Sequence, residues 1–198
     1  MLRSKKIAIT GGIAVGKSTV CDFFKQFGGY VIRSDEIVHS ILTPETQAGK
    51  QIIELLGKQI VVKGQLDRKK IAEIAFNDKV ILNSLEKIIH PVVLDDINKK
   101  ISDITGKYPC IFVEIPLLFE IGQADYFDYV VTVTSKELNC IKRLAKKGVS
   151  EREYKKRMLH QMNPQSKAQK ADFVIDNDSS LDELKEKAYK LYNSLLTV

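Results

Sequence analysis

The sequence predicts a three-layer α/β protein in which a mostly parallel central sheet is covered by helices on both faces. Short apolar runs alternate with longer stretches of helical periodicity along the 198 residues, which is typical of parallel strands joined by helices. Hydrophobic residues make up 44% and charged residues 28% of the chain, the balance of a globular protein with a sizeable core. A glycine-rich segment follows the first apolar run, at the carboxyl end of a strand, where such sheets bind ligands.

The first half of the chain contains two predicted strands and a series of predicted helices. Asp67 is placed to cap one of these helices, because its side chain can accept a backbone N–H of the first turn. His90 and Pro91 are expected to interrupt or kink the longest helix, since proline lacks the N–H that a helix uses. The predicted strands cover residues 7–9 and 30–32, and the predicted helices cover residues 18–27, 36–42, 46–56, 66–76 and 78–104.

The second half of the chain repeats the alternation. Residues 134–137 read T-S-K-E, the pattern of a capping box before a helix that extends to Lys147. Ser150 is predicted to cap a helix that extends to about Met162, and Ser180 is predicted to cap the C-terminal helix. Asn163 and Pro164 are expected to end the helix before them. The predicted strands cover residues 110–115, 129–134 and 173–175, of which the first two are continuous apolar runs typical of fully buried strands.

The segment KKIAITGGIAVGKSTVCDFF, residues 5–24, contains a predicted phosphate-binding loop. Gly11, Gly16, Lys17 and Ser18 satisfy the spacing G-x-x-x-x-G-K-[ST] between a strand and a helix. Glycines let successive backbone N–H groups point at phosphate oxygens, and the helix N-terminus adds its positive dipole end. We expect Lys17 to contact the outer phosphates and the Ser18 hydroxyl to ligate Mg²⁺. An ordinary glycine-rich turn is the alternative, but the strand–turn–helix context favours a nucleotide site.

Composition narrows the cellular setting. An apolar run of about 18 residues is absent from the sequence, so we expect no membrane span, and the basic N-terminal residues precede too short an apolar stretch for a secretory signal. Cys21, Cys110 and Cys140 are far apart and unpaired in sequence, which suits a reducing cytosol and predicts a cytoplasmic protein. The three histidines show no metal-ligand spacing, so the expected metal is Mg²⁺ carried by the nucleotide.

The positive charge is concentrated in one segment. The net charge is +6, but residues 135–170 carry eleven Lys or Arg against three Glu, a local charge of +8, which leaves 6 − 8 = −2 for the rest. A basic helical pair near a phosphate loop suits a polyanionic small molecule at least as well as a nucleic acid. For most of these side chains a solvated surface is the simpler interpretation. We therefore expect small-molecule substrates, with neither nucleic acid nor membrane as partner.

Three classes of protein use such a loop. A guanine-reading N-K-x-D segment, which a GTPase switch needs, is absent from the sequence, and a nucleic-acid motor usually needs a longer chain. A small-molecule kinase needs an acid after the second strand and a basic lid, and the sequence offers both. Asp35 follows the second strand and could accept the proton of an attacking hydroxyl or help to orient it. Capping of the helix 36–42 is an equally good interpretation of Asp35 at this point.

Several segments, taken in order, resemble the dephospho-coenzyme A kinase family along nearly the whole chain. The resemblance implies ATP-dependent phosphorylation of the ribose 3′-hydroxyl of dephospho-coenzyme A, the last step of coenzyme A synthesis. A related kinase that acts on a nucleoside or another small hydroxyl metabolite is the alternative. The matching segments are TGGIAVGKST at 10–19, Asp35, GQLDR at 64–68, LEKIIHP at 85–91, IPLLFE at 115–120, Arg143-Leu144, Arg157 with Gln161, and KADFVIDN at 170–177.

The resemblance also implies a domain organisation and a set of site residues. We expect a single P-loop kinase domain over 1–198, with a nucleotide-binding core (1–42, 107–135 and 171–198), a helical acceptor-covering insertion (43–106) and a basic helical lid (136–170). A monomer is compatible with the sequence, which leaves the oligomeric state open. The implied catalytic residues are Asp35 as base, Lys17 and Arg143; the implied ATP contacts are Gly11, Ala14, Val15, Gly16, Lys17, Ser18, Thr19, Arg143, Lys147 and Asn177; the implied acceptor contacts are Asp35, Arg68, His90, Pro116, Leu117 and Leu118; and the implied Mg²⁺ contacts are Ser18 and, through water, Glu114.

Other interpretations stay open for some of these residues. His90, before a proline, also fits a hydrogen-bonding role at a helix kink; Glu114 fits a structural role equally well; and the apolar residues 116–118 fit a pocket wall or the core. The chain departs from the family pattern at five positions. An alanine in the loop is tolerated only if its backbone is not strongly left-handed, and lysine cannot replace the donor fork of arginine. The departures are Ala14 and Val15 for Gly-Ser, Arg33 in a D-A-D motif, His39 for an arginine, and Lys147 for a lid arginine.

Overall fold

The computed structural model describes residues 4–197, which divide into two compact units. The sheet unit comprises residues 4–33 and 104–197, and the helical unit comprises Ser34–Asp103. The strands are β1 Lys5–Gly11, β2 Tyr30–Arg33, β3 Val61–Val62, β4 Gln65–Leu66, β5 Cys110–Glu114, β6 Tyr129–Thr134 and β7 Phe173–Asp176. The helices are α1 Lys17–Gln26, α2 Ser34–Ile41, α3 Gln47–Leu56, α4 Arg68–Asn77, α5 Lys79–Ile104, α6 Glu137–Ala145, α7 Glu151–Met158, α8 Pro164–Lys170 and α9 Leu181–Thr197.

The sheet unit is built on five parallel strands in the order β2-β5-β1-β6-β7. The apolar runs of β1, β5 and β6 are buried along nearly their whole length, as strands covered on both faces require. The register aligns Ile9 with Glu114 on one side and with Val131 on the other. All five strands of this sheet coincide with predicted strands, and the α/β fold with helices on both sides of a parallel sheet is confirmed.

Alternation along the strands divides the core between the two faces. On one face, Ile7 and Ile9 pack with α1 and α9, where Phe24 stacks on Phe112 with ring centroids 4.1 Å apart and Tyr192 completes the cluster. On the other face α8 packs against β1 and β6. Burying large side chains on the first face contributes most of the hydrophobic stabilisation of this unit.

The helical unit has its own core. Buried side chains from α3, α4 and α5, such as Ile52, Ile71 and Leu85, meet in one cluster. The Thr46 hydroxyl accepts the Gly49 N–H at 3.0 Å and caps α3. The Asp67 carboxylate accepts the Lys70 N–H at 3.1 Å, which confirms the predicted cap of α4.

The short hairpin β3–β4 in this unit was not predicted from the sequence. It is an antiparallel pair joined by Lys63 and Gly64, both with positive φ, at +52° and +75°. Two consecutive residues with positive φ are the signature of the tight turn that matches the twist of hairpin strands. Consequently Leu66, which was predicted to start a helix, lies in β4.

Helix α5 runs without interruption through Pro91, so of the predicted interruption or kink at His90 and Pro91 the interruption is wrong. Proline removes one N–H from the helix ladder, and a helix survives this loss when its flanks are anchored by packing. Leu85 lies before Pro91, Val93 and Ile97 lie after it, and all three are buried. Anchoring on both sides therefore keeps the helix continuous.

Three predicted helix boundaries around the basic segment are also wrong. The N-cap of α6 is Lys136, and the Asp178 carboxylate, rather than a capping box from Thr134, accepts the Lys136 N–H at 2.6 Å. Helix α6 ends at Ala145, so Lys147 lies in the following turn and does not share a helical face with Arg143. Helix α7 ends at Met158, short of Met162.

Asn163 and Pro164 begin a helix rather than end one. The Asn163 side chain accepts the Gln165 N–H at 2.8 Å, and Pro164 occupies the first turn of α8. This is the usual place for proline at a helix start, since the missing N–H has no partner there anyway. The caps by Ser150 and Ser180 are confirmed, because each hydroxyl accepts a backbone N–H three residues further along the chain.

Candidate active site

The phosphate loop between β1 and α1 depends on two glycines. Gly11 has φ +138°, and a Cβ there would collide with the Val133 carbonyl of the neighbouring strand. Gly16, the N-cap of α1, has φ +102°, and a Cβ there would collide with the side-chain amide of Asn177. Because Gly16 carries no side chain, the first N–H groups of α1 remain directed at the space in front of the helix.

Ala14 occupies the loop position where the family pattern has glycine, and its φ is +58°. We expected alanine to be tolerated here only outside the left-handed region. The structure places Ala14 inside that region, so this expectation is wrong. A left-handed conformation costs an L-residue about 1–2 kcal/mol. The surrounding hydrogen bonds must offset this cost for the loop to hold its shape.

Three side chains satisfy the carbonyl groups of the loop. The Lys17 ammonium donates to the Gly11 carbonyl at 3.1 Å and to the Gly12 carbonyl at 2.7 Å. The Arg143 guanidinium donates to the carbonyls of Ala14 and Val15 at 3.2 and 3.3 Å. The Val15 carbonyl also accepts the Asn177 amide at 2.7 Å. These side chains hold the loop backbone through its carbonyl groups and occupy none of its N–H groups.

Arg143 itself is held in place by residues that directly follow β6 and β7. It donates to the Ser135 hydroxyl at 3.1 Å and to the Asn177 carbonyl at 2.8 Å. Ser135 in turn donates to the Asp178 carboxylate at 2.9 Å. Burial alone would raise the pKa of Asp178, but hydrogen bonds from the Lys136 N–H, Ser135 and Asn139 lower this pKa to about 2. The carboxylate is therefore charged at neutral pH and anchors the support of the loop.

Ser18 and Glu114 form an oxygen pair beside the loop. The Ser18 hydroxyl donates to Glu114 Oε1 at 3.0 Å, and Glu114 Oε2 lies 3.6 Å from Arg33 Nε. Arg33 also pairs with Asp22 at 2.5 Å. A hydroxyl and a carboxylate are hard oxygen ligands of the kind that Mg²⁺ takes together with nucleotide phosphates. The residues present therefore fit a nucleotide-bound Mg²⁺.

The other predicted nucleotide contacts are placed as follows. The Val15 side chain is buried in the core, so only its backbone can face a ligand. Thr19 is half-buried in the first turn of α1, and Lys147 is exposed in the turn after α6. Asn177 reaches the loop through its amide, a structural contact that the resemblance alone did not reveal.

Asp35 lies in the helical unit, inside the first turn of α2, and its side chain is exposed. Because α2 begins at Ser34, Asp35 does not precede the helix, and the interpretation as an N-cap of a helix at 36–42 is wrong. A carboxylate in the first turn is still favoured by the helix dipole. Its catalytic role remains a prediction.

Arg68 and His90, also in the helical unit, differ in their surroundings. Arg68 begins α4 and donates to the His39 carbonyl in α2 at 3.1 Å. His90 is half-buried in α5; burial lowers its pKa, although the Glu86 carboxylate acts in the opposite direction. His90 is therefore a neutral imidazole at neutral pH, able to donate one hydrogen bond and accept another.

The segment after β5 contains the three predicted apolar acceptor contacts. Pro116 and Leu117 are half-buried, whereas the Leu118 side chain is completely buried. Leu118 is thus a core residue. The Pro116 carbonyl accepts hydrogen bonds from Thr10 at 3.2 Å and from Lys167 at 2.7 Å, two residues that no sequence motif had selected.

Comparison with known proteins identifies the family. The family model for dephospho-CoA kinase matches residues 5–183. The chain belongs to the dephospho-CoA kinase family. A dephospho-CoA kinase of Protochlamydia amoebophila is 37% identical over 199 residues, covering 98% of each chain. A dephospho-CoA kinase of Chlamydia pneumoniae is 36% identical over 200 residues, again covering 98% of each chain.

Solved structures agree with this assignment. A dephospho-CoA kinase from Campylobacter jejuni superposes with a TM-score of 0.72 at 29% identity, covering 96% of each chain. A shikimate kinase from Acinetobacter baumannii has a TM-score of 0.59 at 14% identity, covering 99% of this chain and 95% of that one, and supports the P-loop kinase fold alone. The predictions of the family, of the fold and of a dephospho-CoA kinase activity are confirmed. Within residues 4–197, no helix is long and apolar enough to cross a membrane.

The left-handed Ala14 predicts a stabilising substitution. Ala14→Gly removes the steric cost of φ +58°, partly offset by the greater freedom of glycine in the unfolded chain. We expect a gain of about 0.5–1 kcal/mol in the free energy of unfolding, or a Tm higher by roughly 1–4 °C in thermal denaturation. Ala72→Gly in α4 is the control and should lower Tm, because glycine disfavours a helix interior. A decrease of Tm in Ala14→Gly would show that the alanine is not strained.

The hydrogen bonds of Arg143 predict that replacing this residue lowers both stability and catalysis. Arg143→Ala removes charge-assisted hydrogen bonds to two loop carbonyls and to the Asn177 carbonyl. We expect a loss of about 2–3 kcal/mol in the free energy of unfolding and a fall in kcat/KM for ATP of at least about tenfold, because the loop is no longer held in place. Thermal denaturation and steady-state kinetics measure the two effects.

Lys142→Ala is the matched control, since Lys142 is an exposed cation on the same helix. It should leave both Tm and kcat/KM near the values of the unmodified protein. An Arg143→Ala variant with full kcat/KM would contradict the role of Arg143 in holding the phosphate loop for catalysis. If that variant also bound random DNA tightly and in a salt-sensitive manner, a nucleic-acid partner would be favoured instead.

Proposed function

We propose that the protein transfers the γ-phosphoryl group of ATP to the ribose 3′-hydroxyl of dephospho-coenzyme A, giving coenzyme A and ADP in the last step of coenzyme A synthesis. The observation that carries this proposal is a phosphate loop whose carbonyl groups are held by Lys17 and Arg143, in a chain that matches the dephospho-CoA kinase family from residue 5 to residue 183.

The phosphate loop binds the triphosphate of ATP. The backbone from Gly11 to Gly16 and the first turn of α1, including Ser18 and Thr19, provide N–H groups and a positive dipole end for the phosphate oxygens. Lys17 supplies a cation for the outer phosphates, on a flexible side chain whose ammonium bonds the carbonyls of Gly11 and Gly12 in this structure. Arg143 and Asn177 support ATP binding by holding the loop backbone.

Ser18 and Glu114 are the residues that would hold Mg²⁺ with the nucleotide. The Ser18 hydroxyl would be a direct ligand, and the Glu114 carboxylate would accept hydrogen bonds from metal-bound water. When bound, Mg²⁺ neutralises charge on the phosphate oxygens during transfer. The Arg33 guanidinium, with Nε 3.6 Å from Glu114 Oε2, orients this carboxylate.

Asp35 is proposed as the catalytic base that accepts the proton of the attacking 3′-hydroxyl. Its exposure in the first turn of α2 leaves the carboxylate accessible to an acceptor hydroxyl. Arg68 and His90 are proposed to bind the acceptor, Arg68 as a cation for its phosphate groups and His90 as a neutral donor or acceptor. Pro116 and Leu117 form an apolar wall for it.

The basic lid is proposed for the segment 136–170, with Gly148 as a pivot. Gly148 has φ +74° in the turn between α6 and α7, and the exposed Lys147 lies beside it. Closure of α7 would bring Arg152, Lys155 and Lys156 to the transferring phosphoryl group. Lys167 in α8 is completely buried, so the moving part excludes α8, and closure of α7 has to shift the buried Tyr154 side chain within the core.

The partners we propose are small molecules, ATP and dephospho-coenzyme A, with the enzyme in the cytoplasm. Two cations of the basic segment pair with acids of the same segment, Lys155 with Glu151 and Arg157 with Glu153, which lowers the charge available to a nucleic acid. Cys21, Cys110 and Cys140 are buried free thiols, a state that a reducing compartment favours.

An acceptor panel tests the proposed reaction. We expect purified protein with Mg-ATP to release ADP far faster with dephospho-coenzyme A than with adenosine, uridine or shikimate, because only the first carries the groups that the family site recognises. ADP release is measured in a coupled assay at matched acceptor concentrations. Equal or greater turnover of a simple nucleoside would reject the named acceptor and favour a related kinase for another small hydroxyl compound.

Asp35→Asn tests the catalytic base. The substitution preserves size but removes the proton acceptor, and loss of a positioned base costs about 10²–10⁴-fold in rate, or roughly 3–5 kcal/mol of transition-state stabilisation. We expect kcat to fall at least about a hundredfold. ATP affinity should be unchanged, and stability should fall by no more than about 1 kcal/mol from the lost helix-dipole interaction.

Glu36→Gln is the matched control, because Glu36 is the other acid in the first turn of α2 and is also exposed. It should reproduce the small stability change of Asp35→Asn while keeping kcat. If Asp35→Asn retained most of its turnover, Asp35 would serve only the helix dipole, and another group would have to accept the proton.

A further inference from the structure

Lys167 in α8 is completely buried, and its ammonium contacts one short segment of the sheet unit. Its ammonium donates to the Pro116 carbonyl at 2.7 Å and lies 2.8 Å from the Glu120 carboxylate, whose side chain is 20% exposed. Both partners lie in the segment 115–120 after β5, which we call the acceptor loop because it contains the proposed acceptor contacts. One buried cation thus holds both ends of this loop.

Two threonines of the sheet hydrogen-bond to Pro116 and to the backbone of Lys167. Thr10 in β1 and Thr132 in β6 are aligned in the register and are both fully buried. The Thr10 hydroxyl donates to the Pro116 carbonyl at 3.2 Å, and the Thr132 hydroxyl donates to the Lys167 carbonyl at 3.3 Å. The acceptor loop and α8 are therefore tied to the carboxyl ends of neighbouring strands, where β1 leads into the phosphate loop.

Glu120 connects the same cluster to the chain between α7 and α8. Its carboxylate accepts the Met162 N–H at 2.8 Å as well as the Lys167 ammonium. The N-terminus of α8 is close to the phosphate loop, because a Cβ on Gly12 would lie 3.9 Å from the Pro164 ring. Helix α8 thus lies against the nucleotide loop at one point and against the acceptor loop at another.

Stability does not explain a buried lysine at this place. Burying an ammonium and a carboxylate costs desolvation energy that their attraction recovers only in part, and an apolar residue of similar volume is often as stable. What an apolar side chain cannot do is fix the direction of the Pro116 carbonyl and the position of the Glu120 carboxylate. The cost is consistent with a demand for precise placement of the loop between them.

We propose that Lys167 is a positioning residue for the acceptor: by holding the Pro116 carbonyl and the Glu120 carboxylate it sets the shape of the acceptor loop, and hence the affinity for the acceptor substrate but not for ATP. This inference rests on the proposed function for the identity of the acceptor. The placement of the loop by Lys167 does not depend on that identity, and the experiment measures the two separately.

The test compares Lys167→Met, Glu120→Gln and the double variant. Lys167→Met removes the ammonium at nearly constant length, and we expect the KM for dephospho-coenzyme A to rise about tenfold to a hundredfold, with the KM for ATP unchanged. Glu120→Gln leaves the buried Lys167 ammonium without its carboxylate, so Tm should fall by about 10 °C, whereas Lys167→Met leaves a carboxylate that reaches water and should lower Tm less. The double variant has no unpaired charge, so Tm should recover while the acceptor KM stays high.

Lys170→Met is the control, since Lys170 is exposed at the end of the same helix. It should change neither KM. A purely structural Lys167 would give a different pattern: the acceptor KM would recover together with Tm in the double variant, or both KM values would rise equally. Either result overturns the proposal, as does an unchanged acceptor KM in Lys167→Met.

Hydrogen–deuterium exchange gives a readout that needs no substrate. The amides of Ile121 and Gln123 bond to the carbonyls of Leu117 and Leu118 at 3.0 and 3.1 Å, and they report on the acceptor loop. We expect faster exchange there in Lys167→Met and in the double variant, with unchanged exchange in α1. Unchanged exchange in the loop overturns the proposal. If these variants show faster exchange but the unmodified protein does not phosphorylate dephospho-coenzyme A, the proposed acceptor is rejected. The role of Lys167 in placing the loop is then kept.

Discussion

The peptide groups of the phosphate loop must direct their N–H groups at one point, and this constraint determines what surrounds the loop. When the N–H groups converge on a phosphate, the carbonyl groups of the same peptides face the opposite way, into the protein, where each needs a hydrogen-bond donor. Lys17, Arg143 and Asn177 provide these donors to the carbonyls of residues 11, 12, 14 and 15. The cations behind the loop are therefore a consequence of the anion site in front of it.

This constraint also explains how the chain tolerates Ala14 in a left-handed conformation. A hydrogen bond from a charged donor contributes about 1.5–3 kcal/mol, which is comparable to the 1–2 kcal/mol that an L-residue loses there. The Arg143 guanidinium bonds the Ala14 carbonyl directly and is itself held by Ser135, whose hydroxyl bonds the ionised Asp178. A loop with one glycine fewer thus keeps its shape because residues far away in sequence fix its carbonyl side.

The sequence predicted well what local chemistry determines and poorly what distant residues determine. The five strands of the sheet, and the caps by Asp67, Ser150 and Ser180, follow from apolar runs and from side chains that bond their own neighbourhood. The capping box at 134–137 failed because α6 begins two residues later, with Lys136 as N-cap, and the Lys136 N–H is bonded by Asp178, more than forty residues away in sequence. Two missed elements did carry local signals: Lys63-Gly64 for the hairpin turn, and Asn163-Pro164 for the start of α8.

The same division applies to the site. Gly16, Lys17 and Ser18 could be placed from a motif because the phosphate loop is made by consecutive residues. The roles of Asn177, Thr10 and Lys167 could not, since each acts through a contact between segments that meet only when the parallel strands assemble in the order β2-β5-β1-β6-β7. That order puts the ends of β5 and β6 on either side of β1, and so places the acceptor loop and α8 beside the phosphate loop. The sheet topology, rather than any motif, is what brings the nucleotide and acceptor contacts of the sheet unit to one edge.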